Sequence, residues 1–160
     1  MKLTACLSCG LGLVVGCAYF GQPSPPVAPK DPDLIQFRLV EENDGRDTVA
    51  MKAVGSDQTF HVNKQALLNA LDVRWAKASR DRHLHSPAIL LSFTPEGAKK
   101  LAEVTASNIN RRLAIIVDGQ LLSAPIIRAR IEAGEALIQG SFTGKDSTQI
   151  VRAINANVAR

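Results

Sequence analysis

The chain has 160 residues, of which 46% are hydrophobic and 21% are charged, a composition typical of one globular domain with a buried core. Its formal net charge of +4 is too small to indicate nucleic-acid binding. All three cysteines lie at or before Cys17, so a chain cleaved before Cys17 would keep one cysteine and could form no internal disulfide.

Residues 1–16 have the pattern of a bacterial signal peptide. An uncharged run from Leu3 to Gly16 is shorter than the roughly 20 residues that a membrane-spanning helix needs. The run ends in Val-Val-Gly before Cys17 and resembles a lipobox, which predicts cleavage before Cys17 and lipidation of that residue. An ordinary cleaved signal peptide or an uncleaved anchor is the alternative. Because Ala18 is not the aspartate that retains enteric lipoproteins at the inner membrane, the outer membrane of a Gram-negative envelope is favoured.

Residues 17–33 are predicted to be a lipidated cysteine followed by a linker. Five prolines lie between Gly21 and Asp33, and this composition favours extended polyproline conformation over packed structure. At about 3.1 Å per residue, the linker would hold a domain up to roughly 40 Å from the bilayer. We therefore expect a periplasm-facing domain over residues 34–160.

The first part of this domain has the pattern of an antiparallel sheet. Alternating apolar residues predict strands over residues 34–41 and 48–54, and a short third strand over residues 59–62. A helical turn is predicted over residues 63–68, with Asn63 as its cap, and a further strand over residues 73–79.

A strand, a helix and a hairpin are predicted next. Residues 89–93 form an apolar strand, and Thr94 is the expected N-cap of the helix that follows. The helix has one stripe of residues at helical spacing, which we expect to be buried: Ala98, Leu101, Ala102, Thr105 and Ile109. Residues 113–117 then return as a strand into a hairpin turn at Asp118-Gly119.

The last third of the chain predicts two strands and a second helix. Residues 120–131 read as a strand that Pro125 interrupts, which indicates an edge position or a bulge, and residues 136–140 read as another strand. Ser-Phe-Thr at residues 141–143 repeats residues 92–94 and again leads into a helix. Its buried stripe would be Ile150, Val151, Ile154 and Val158. The expected fold class is α+β, a two-layer ferredoxin-like sandwich with two helices on one face of a mainly antiparallel sheet.

The run from Ser92 to Ile127, SFTPEGAKKLAEVTASNINRRLAIIVDGQLLSAPII, resembles the head subdomain of the first periplasmic domain of SecD, a subunit of the bacterial protein-export machinery. The resemblance extends over most of residues 34–157, although Asn110 stands where that family usually has glycine. It implies capture of emerging polypeptides, which in the family is coupled to the proton gradient by transmembrane helices. No stretch of this sequence suits such a helix, so we expect a passive role in export or one exercised through a partner.

Catalytic chemistry has little support in the sequence. His83 and His85 have the only metal-like spacing. A zinc site needs three or four ligands, but Asp81 is the only nearby carboxylate and His61 is distant in sequence, so we interpret the two histidines as part of a solvated loop. Asp118 is explained by the hairpin turn, and Ser123 lacks a nucleophile elbow. We predict no enzyme activity, no cofactor and no metal site; a metal-dependent enzyme is the less favoured alternative.

Surface recognition is the function that remains. The aliphatic segment broken by Pro125 is predicted to be an edge that binds an extended polypeptide through Leu121, Leu122, Pro125 and Ile126. Alternatively, Pro125 only protects the edge against aggregation. The expected partners are the membrane, through the lipid anchor, and exported polypeptides, the Sec translocon or other envelope proteins, with no nucleic acid. A structural lipoprotein that binds the cell wall or an assembly partner is the alternative function.

Overall fold

The computed structural model of the protein describes residues 29–81 and 85–158. The predicted signal peptide, the lipidation site Cys17 and His83 lie outside these residues. Along the chain the elements are β1 (Ile35–Glu41), β2 (Thr48–Lys52), β3 (Thr59–Asn69), a 3₁₀ turn (Ala70–Asp72), β4 (Val73–Arg80), β5 (Pro87–Phe93), α1 (Pro95–Ser107), β6 (Leu113–Val117), β7 (Gln120–Ser123), β8 (Glu135–Gln139) and α2 (Gly144–Val158). None of the helices in the described ranges is long and apolar enough to cross a membrane.

The strands form two antiparallel sheets. The larger sheet has the order β2-β3-β1-β6-β7, and the smaller has the order β4-β5-β8. Helix α2 packs against β4 and β5, and α1 contacts β3, β5 and the 3₁₀ turn. The predicted α+β class with two helices is therefore confirmed, but the strands are divided between two sheets because the 3₁₀ turn separates β3 from β4.

Both faces of the larger sheet are apolar. The main core joins both sheets and both helices, and its fully buried side chains include Phe37, Leu68, Ile89, Leu101 and Ile154. A second cluster lies on the other face of the larger sheet and contains Phe60, Val62, Ala114, Ile116, Leu121 and Ala124. The sheet curls over this cluster, because Ala53 forms a bridge with Leu121 and the Val54 N–H donates to the Leu121 carbonyl at 2.9 Å. The two edge strands thus meet at one point.

The helical turn predicted over residues 63–68 is wrong. These residues continue β3, which pairs with β1 on one side and with β2 on the other. The helical turn lies directly after β3, at Ala70–Asp72. There the Asn69 side chain accepts the Leu71 N–H and the Asp72 carboxylate accepts the Asn69 N–H, each at 3.0 Å. Pairing with β1, which includes Ala66 and Leu68, outweighs a local preference for helix in this segment.

Helix α1 begins as predicted. The Thr94 hydroxyl accepts the Gly97 N–H at 3.0 Å, and Pro95 occupies the first turn. Leu101, Ala102 and Thr105 are buried, but Ile109 lies beyond the end of the helix and is 40% exposed, so its place in the stripe was wrong. The helix ends earlier than the apolar spacing suggests.

The hairpin turn between β6 and β7 is also confirmed. Asp118 and Gly119 both have positive φ, 50° and 72°, as a two-residue turn of this kind requires. Asn110 has φ of 67°, a left-handed conformation that asparagine tolerates where glycine is usual.

The C-terminal part of α2 ties two distant segments to the domain. The Asn157 amide accepts the Asp31 N–H and donates to the Asp31 carbonyl, each at 2.7 Å. The Asn155 amide accepts the Ala76 N–H at 2.8 Å and donates to the Ala76 carbonyl at 2.9 Å. Asn157 therefore holds the end of the predicted linker, and Asn155 occupies the outer edge of β4.

Replacement of Asn155 by alanine is expected to lower the free energy of unfolding by about 1–3 kcal/mol, because it leaves the N–H and carbonyl of Ala76 unpaired in a buried position. Urea denaturation of the purified domain measures the change. Arg152→Ala, at an exposed position of the same helix, is the matched control and should shift stability by less than about 0.5 kcal/mol. Equal stability of the two variants would show that the edge contact contributes nothing.

Candidate functional site

Leu121 and Leu122, two of the residues predicted to contact a client, are buried. Leu121 is 1% exposed in the second apolar cluster, and Leu122 is 5% exposed in the main core. Successive residues of a strand point to opposite faces, and both faces of β7 are covered. This finding corrects the predicted site, because neither side chain is accessible to a client in this structure.

The predicted strand over residues 120–131 is shorter than expected. β7 ends at Ser123, and the next residues lie beside the start of β6 in irregular pairing. The Pro125 carbonyl accepts the Leu113 N–H, and the Ile127 N–H donates to the Arg111 carbonyl, both at 2.9 Å. Pro125 is exposed and Ile126 is half-buried, so these two predicted residues do lie at the surface.

Pro125 and Ile126 line two adjoining depressions that share Gln58, Phe60 and Arg112, and we call the pair the Phe60 groove. The larger depression, of about 830 Å³, lies between the end of β1 and the start of β3 and includes Ile126. The smaller one, of about 300 Å³, lies between residues 123–125 and β8. Its β8 wall carries Leu137, whose side chain is 44% exposed.

Arg112 is the charged residue that lines both depressions of the Phe60 groove. Its guanidinium carbon lies 5.7 Å from the centre of the Phe60 ring, and Nη1 donates to the Ala124 carbonyl at 2.8 Å. Over residues 29–81 and 85–158, Arg112 forms no ion pair. The neighbouring Arg111 differs, since it pairs with Glu41 at 2.7 Å.

The rim of the larger depression carries further polar groups. His61 Nδ1 lies 3.7 Å from an Asp44 carboxylate oxygen. The Thr48 hydroxyl and the Gly45 N–H donate to that carboxylate and hold the pKa of Asp44 below its ordinary value. No group of three or more histidine, cysteine, aspartate or glutamate side chains within the described part of the chain is arranged to hold a metal ion. His85 is described, whereas its predicted companion His83 is not.

Sequence reasoning missed Phe60, Arg112 and Leu137. Phe60 lies in the predicted strand over residues 59–62, and Arg112 directly precedes the predicted strand over residues 113–117, so neither position indicated a groove. Leu137 lies in a strand in which alternate residues face solvent, so its apolar side chain was the one available signal. The groove forms from segments far apart in sequence, which no local pattern connects.

These features define a small α+β domain with a surface groove and an apolar residue on an outer strand. The chain belongs to the family of the SecDF P1 head subdomain, whose model matches residues 47–158. The resemblance seen in the sequence is thereby confirmed at the level of the domain.

Curated relatives are translocase subunits. The chain is 34% identical over 131 residues to the protein translocase subunit SecDF of Thermus thermophilus, a match that covers 73% of this chain and 18% of that protein. It is 40% identical over 136 residues to SecD of Desulfurispirillum indicum, covering 73% and 26%. For SecD of Acidaminococcus fermentans the identity is 31% over 131 residues, covering 81% and 31%. The chain thus spans less than a third of each of these proteins.

Solved structures of SecDF have the same fold. A structure of the membrane component SecDF that enhances protein export matches with a TM-score of 0.64 and 28% identity, covering 79% of this chain and 63% of that one. SecDF in its super-membrane-facing form matches with a TM-score of 0.65 and 29% identity, covering 77% and 18%. The architecture of the head subdomain is therefore shared.

Proposed function

We propose that this protein is a lipid-anchored, periplasm-facing accessory of protein export whose head domain binds polypeptides and catalyses no reaction. The anchor is the lipidated Cys17, followed by the proline-rich linker, and the outer membrane is the expected location. Partners are exported polypeptides in an unfolded state and the Sec translocon. The family gives the link to export, and the lipobox-like sequence gives the anchor.

The observation that carries the binding role is the Phe60 groove. It combines an aromatic ring, a guanidinium that no carboxylate of residues 29–81 and 85–158 pairs with, and the apolar side chains of Ile126 and Leu137. Apolar contacts with a few polar groups suit a chain whose side chains are not yet buried in a fold. Binding through exposed side chains and backbone needs no catalytic residue.

Site-specific photo-crosslinking in cells tests the binding role. A photoreactive amino acid replaces Ile126 in the groove, and the matched control carries it at Arg152, an exposed position on α2. We expect crosslinks to translocon subunits or to unfolded exported chains from position 126 only. Recovery of one defined envelope complex alone, or of the same products from both positions, would contradict the proposal.

The anchor requires its own test. Cys17→Ala should abolish metabolic labelling with a fatty acid, because it removes the thiol that we propose to be lipidated. Density-gradient fractionation of the wild-type protein then separates the outer from the inner membrane. Fatty-acid labelling that persists in the Cys17→Ala protein, or a wild-type protein that keeps its leader, would contradict the lipidation site.

A further inference from the structure

Within the part of the chain that the structure describes, β8 pairs with another strand along one edge only. Its partner is β5, with Ser92 opposite Glu135, and the Phe93 N–H donates to the Gly134 carbonyl at 2.9 Å. In an antiparallel ladder, residues that bond to the partner alternate with residues whose N–H and carbonyl point away. The backbone groups of Glu135, Leu137 and Gln139 therefore point away from β5. No partner for them is found within the described residues.

The opposite edge of the same sheet is covered by a side chain at Ala76. There the Asn155 amide bonds to both the N–H and the carbonyl of Ala76, in the way that a neighbouring strand would. Side-chain cover of this kind is a known protection of edge strands. The three-stranded sheet thus has side-chain cover at Ala76 on its β4 edge, whereas no such cover is found for the β8 edge among the described residues.

The space beside β8 suits a single extended chain. The smaller depression of the Phe60 groove, about 300 Å³, separates Leu137 and Gln139 from residues 123–125. The two walls converge at the end of β8, where a Cβ on Gly140 would lie 2.9 Å from the Leu122 carbonyl. The wall formed by residues 122–125, opposite β8, obstructs edge-to-edge pairing of β8 with a second folded domain. A peptide strand, which needs about 4.8 Å on its bonded side, requires far less room.

The charge of Arg112 favours an extended chain that carries an acidic residue. Arg112 is the only charged side chain that lines this depression, and it has no carboxylate partner in the described part of the protein. Its position over Phe60 and its bond to Ala124 hold the guanidinium at the wall of the cleft. An acidic side chain on the bound chain would complement it.

We infer that an extended polypeptide segment with an acidic side chain adds to β8 as a fourth strand of the smaller sheet, with its carboxylate at Arg112. Main-chain hydrogen bonds to Glu135, Leu137 and Gln139 supply affinity that does not depend on sequence, and Arg112 supplies the preference for an acidic residue. This inference rests on the proposed function, because it specifies how the same groove binds a client.

The probes are two synthetic peptides of alternating valine and serine that differ only in one central glutamate or lysine. Binding to the full-length lipoprotein in detergent is measured by calorimetry. We expect the glutamate peptide to bind about tenfold more tightly than the lysine peptide at low salt. Leu137→Ala should weaken binding about threefold, since only side-chain contact is lost. Leu137→Pro should weaken it about thirtyfold, because it also removes an outward N–H.

Amide hydrogen exchange provides a readout that needs no variant. The glutamate peptide should protect the Leu137 and Gln139 amides of the wild-type protein, and thermal unfolding should confirm that Leu137→Pro remains folded. If the wild type binds neither peptide, the proposed function itself fails. If it binds while the Leu137 amide stays unprotected and Leu137→Pro binds like Leu137→Ala, strand addition is overturned and polypeptide binding stands. Equal affinity for both peptides would overturn the role of Arg112.

Discussion

Gly97→Ala is expected to destabilise the domain by about 3 kcal/mol or more, which would lower the melting temperature by roughly 10 °C. A Cβ at Gly97 would overlap the carbonyl oxygen of Asp72 and lie 2.9 Å from its Cα. The atoms that a Cβ would meet belong to the backbone of Asp72, and two interactions hold that residue in place. The Asp72 carbonyl accepts the Thr94 N–H at 2.8 Å, and its carboxylate pairs with Lys100 at 2.8 Å.

Gly144→Ala is the matched control for this substitution. Gly144 also lies in the first turn of a helix, but a Cβ there meets nothing within 4 Å. Because alanine loses less backbone entropy on folding, this variant should be unchanged or more stable by up to about 1 kcal/mol. Thermal unfolding measures the melting temperatures of both variants. Similar melting temperatures would mean that α1 can move away from the 3₁₀ turn without cost.

The elements that could be predicted from sequence are those specified by local chemistry. Thr94 before proline predicted the start of α1, and Thr143 predicted the start of α2, where its hydroxyl and the Asp146 carboxylate exchange bonds with each other's N–H. Asp118-Gly119 predicted the hairpin because that turn needs two residues with positive φ. Each signal depends only on residues close together in the chain.

The elements that could not be predicted depend on pairing between distant segments. Residues 63–68 include several good helix formers, yet they belong to β3, where Ala66 and Leu68 pair with β1 and Asn63 pairs with β2. The division into two sheets and the meeting of β2 with β7 at Ala53 and Leu121 are likewise long-range. An aliphatic pair such as Leu121-Leu122 reads the same whether the strand is open or covered.

Only part of the candidate site could likewise be predicted from local sequence. The segment around Pro125 and Ile126 was placed at the surface from the effect of proline on a strand, and both residues do line the groove. The opposite walls come from β3, which lies far earlier in the sequence, and from β8, which follows Ile126 after an irregular segment. Only the folded chain brings Phe60 and Leu137 to the two sides of Arg112.

A charged residue at Leu122 is expected to unfold the protein, whereas the same residue at Ile126 is expected to weaken binding alone. Leu122→Glu would place an unpaired carboxylate among buried apolar side chains of the main core. The expected cost exceeds about 4 kcal/mol, a large share of the 5–15 kcal/mol that stabilises a typical domain. Ile126 is half-buried at the groove, so Ile126→Glu should cost about 1 kcal/mol or less.

The two variants separate stability from recognition when urea denaturation and peptide binding are measured on the same samples. Ile126→Glu should unfold near the wild-type midpoint but bind the glutamate peptide at least about tenfold more weakly. It removes an apolar contact and places beside Arg112 a carboxylate that repels the glutamate of the peptide. Full binding by Ile126→Glu would exclude this wall of the groove. If Leu122→Glu folds but does not bind the peptide, the side chain at position 122 must reach the surface at little cost in stability. Leu122 would then belong to the binding site after all.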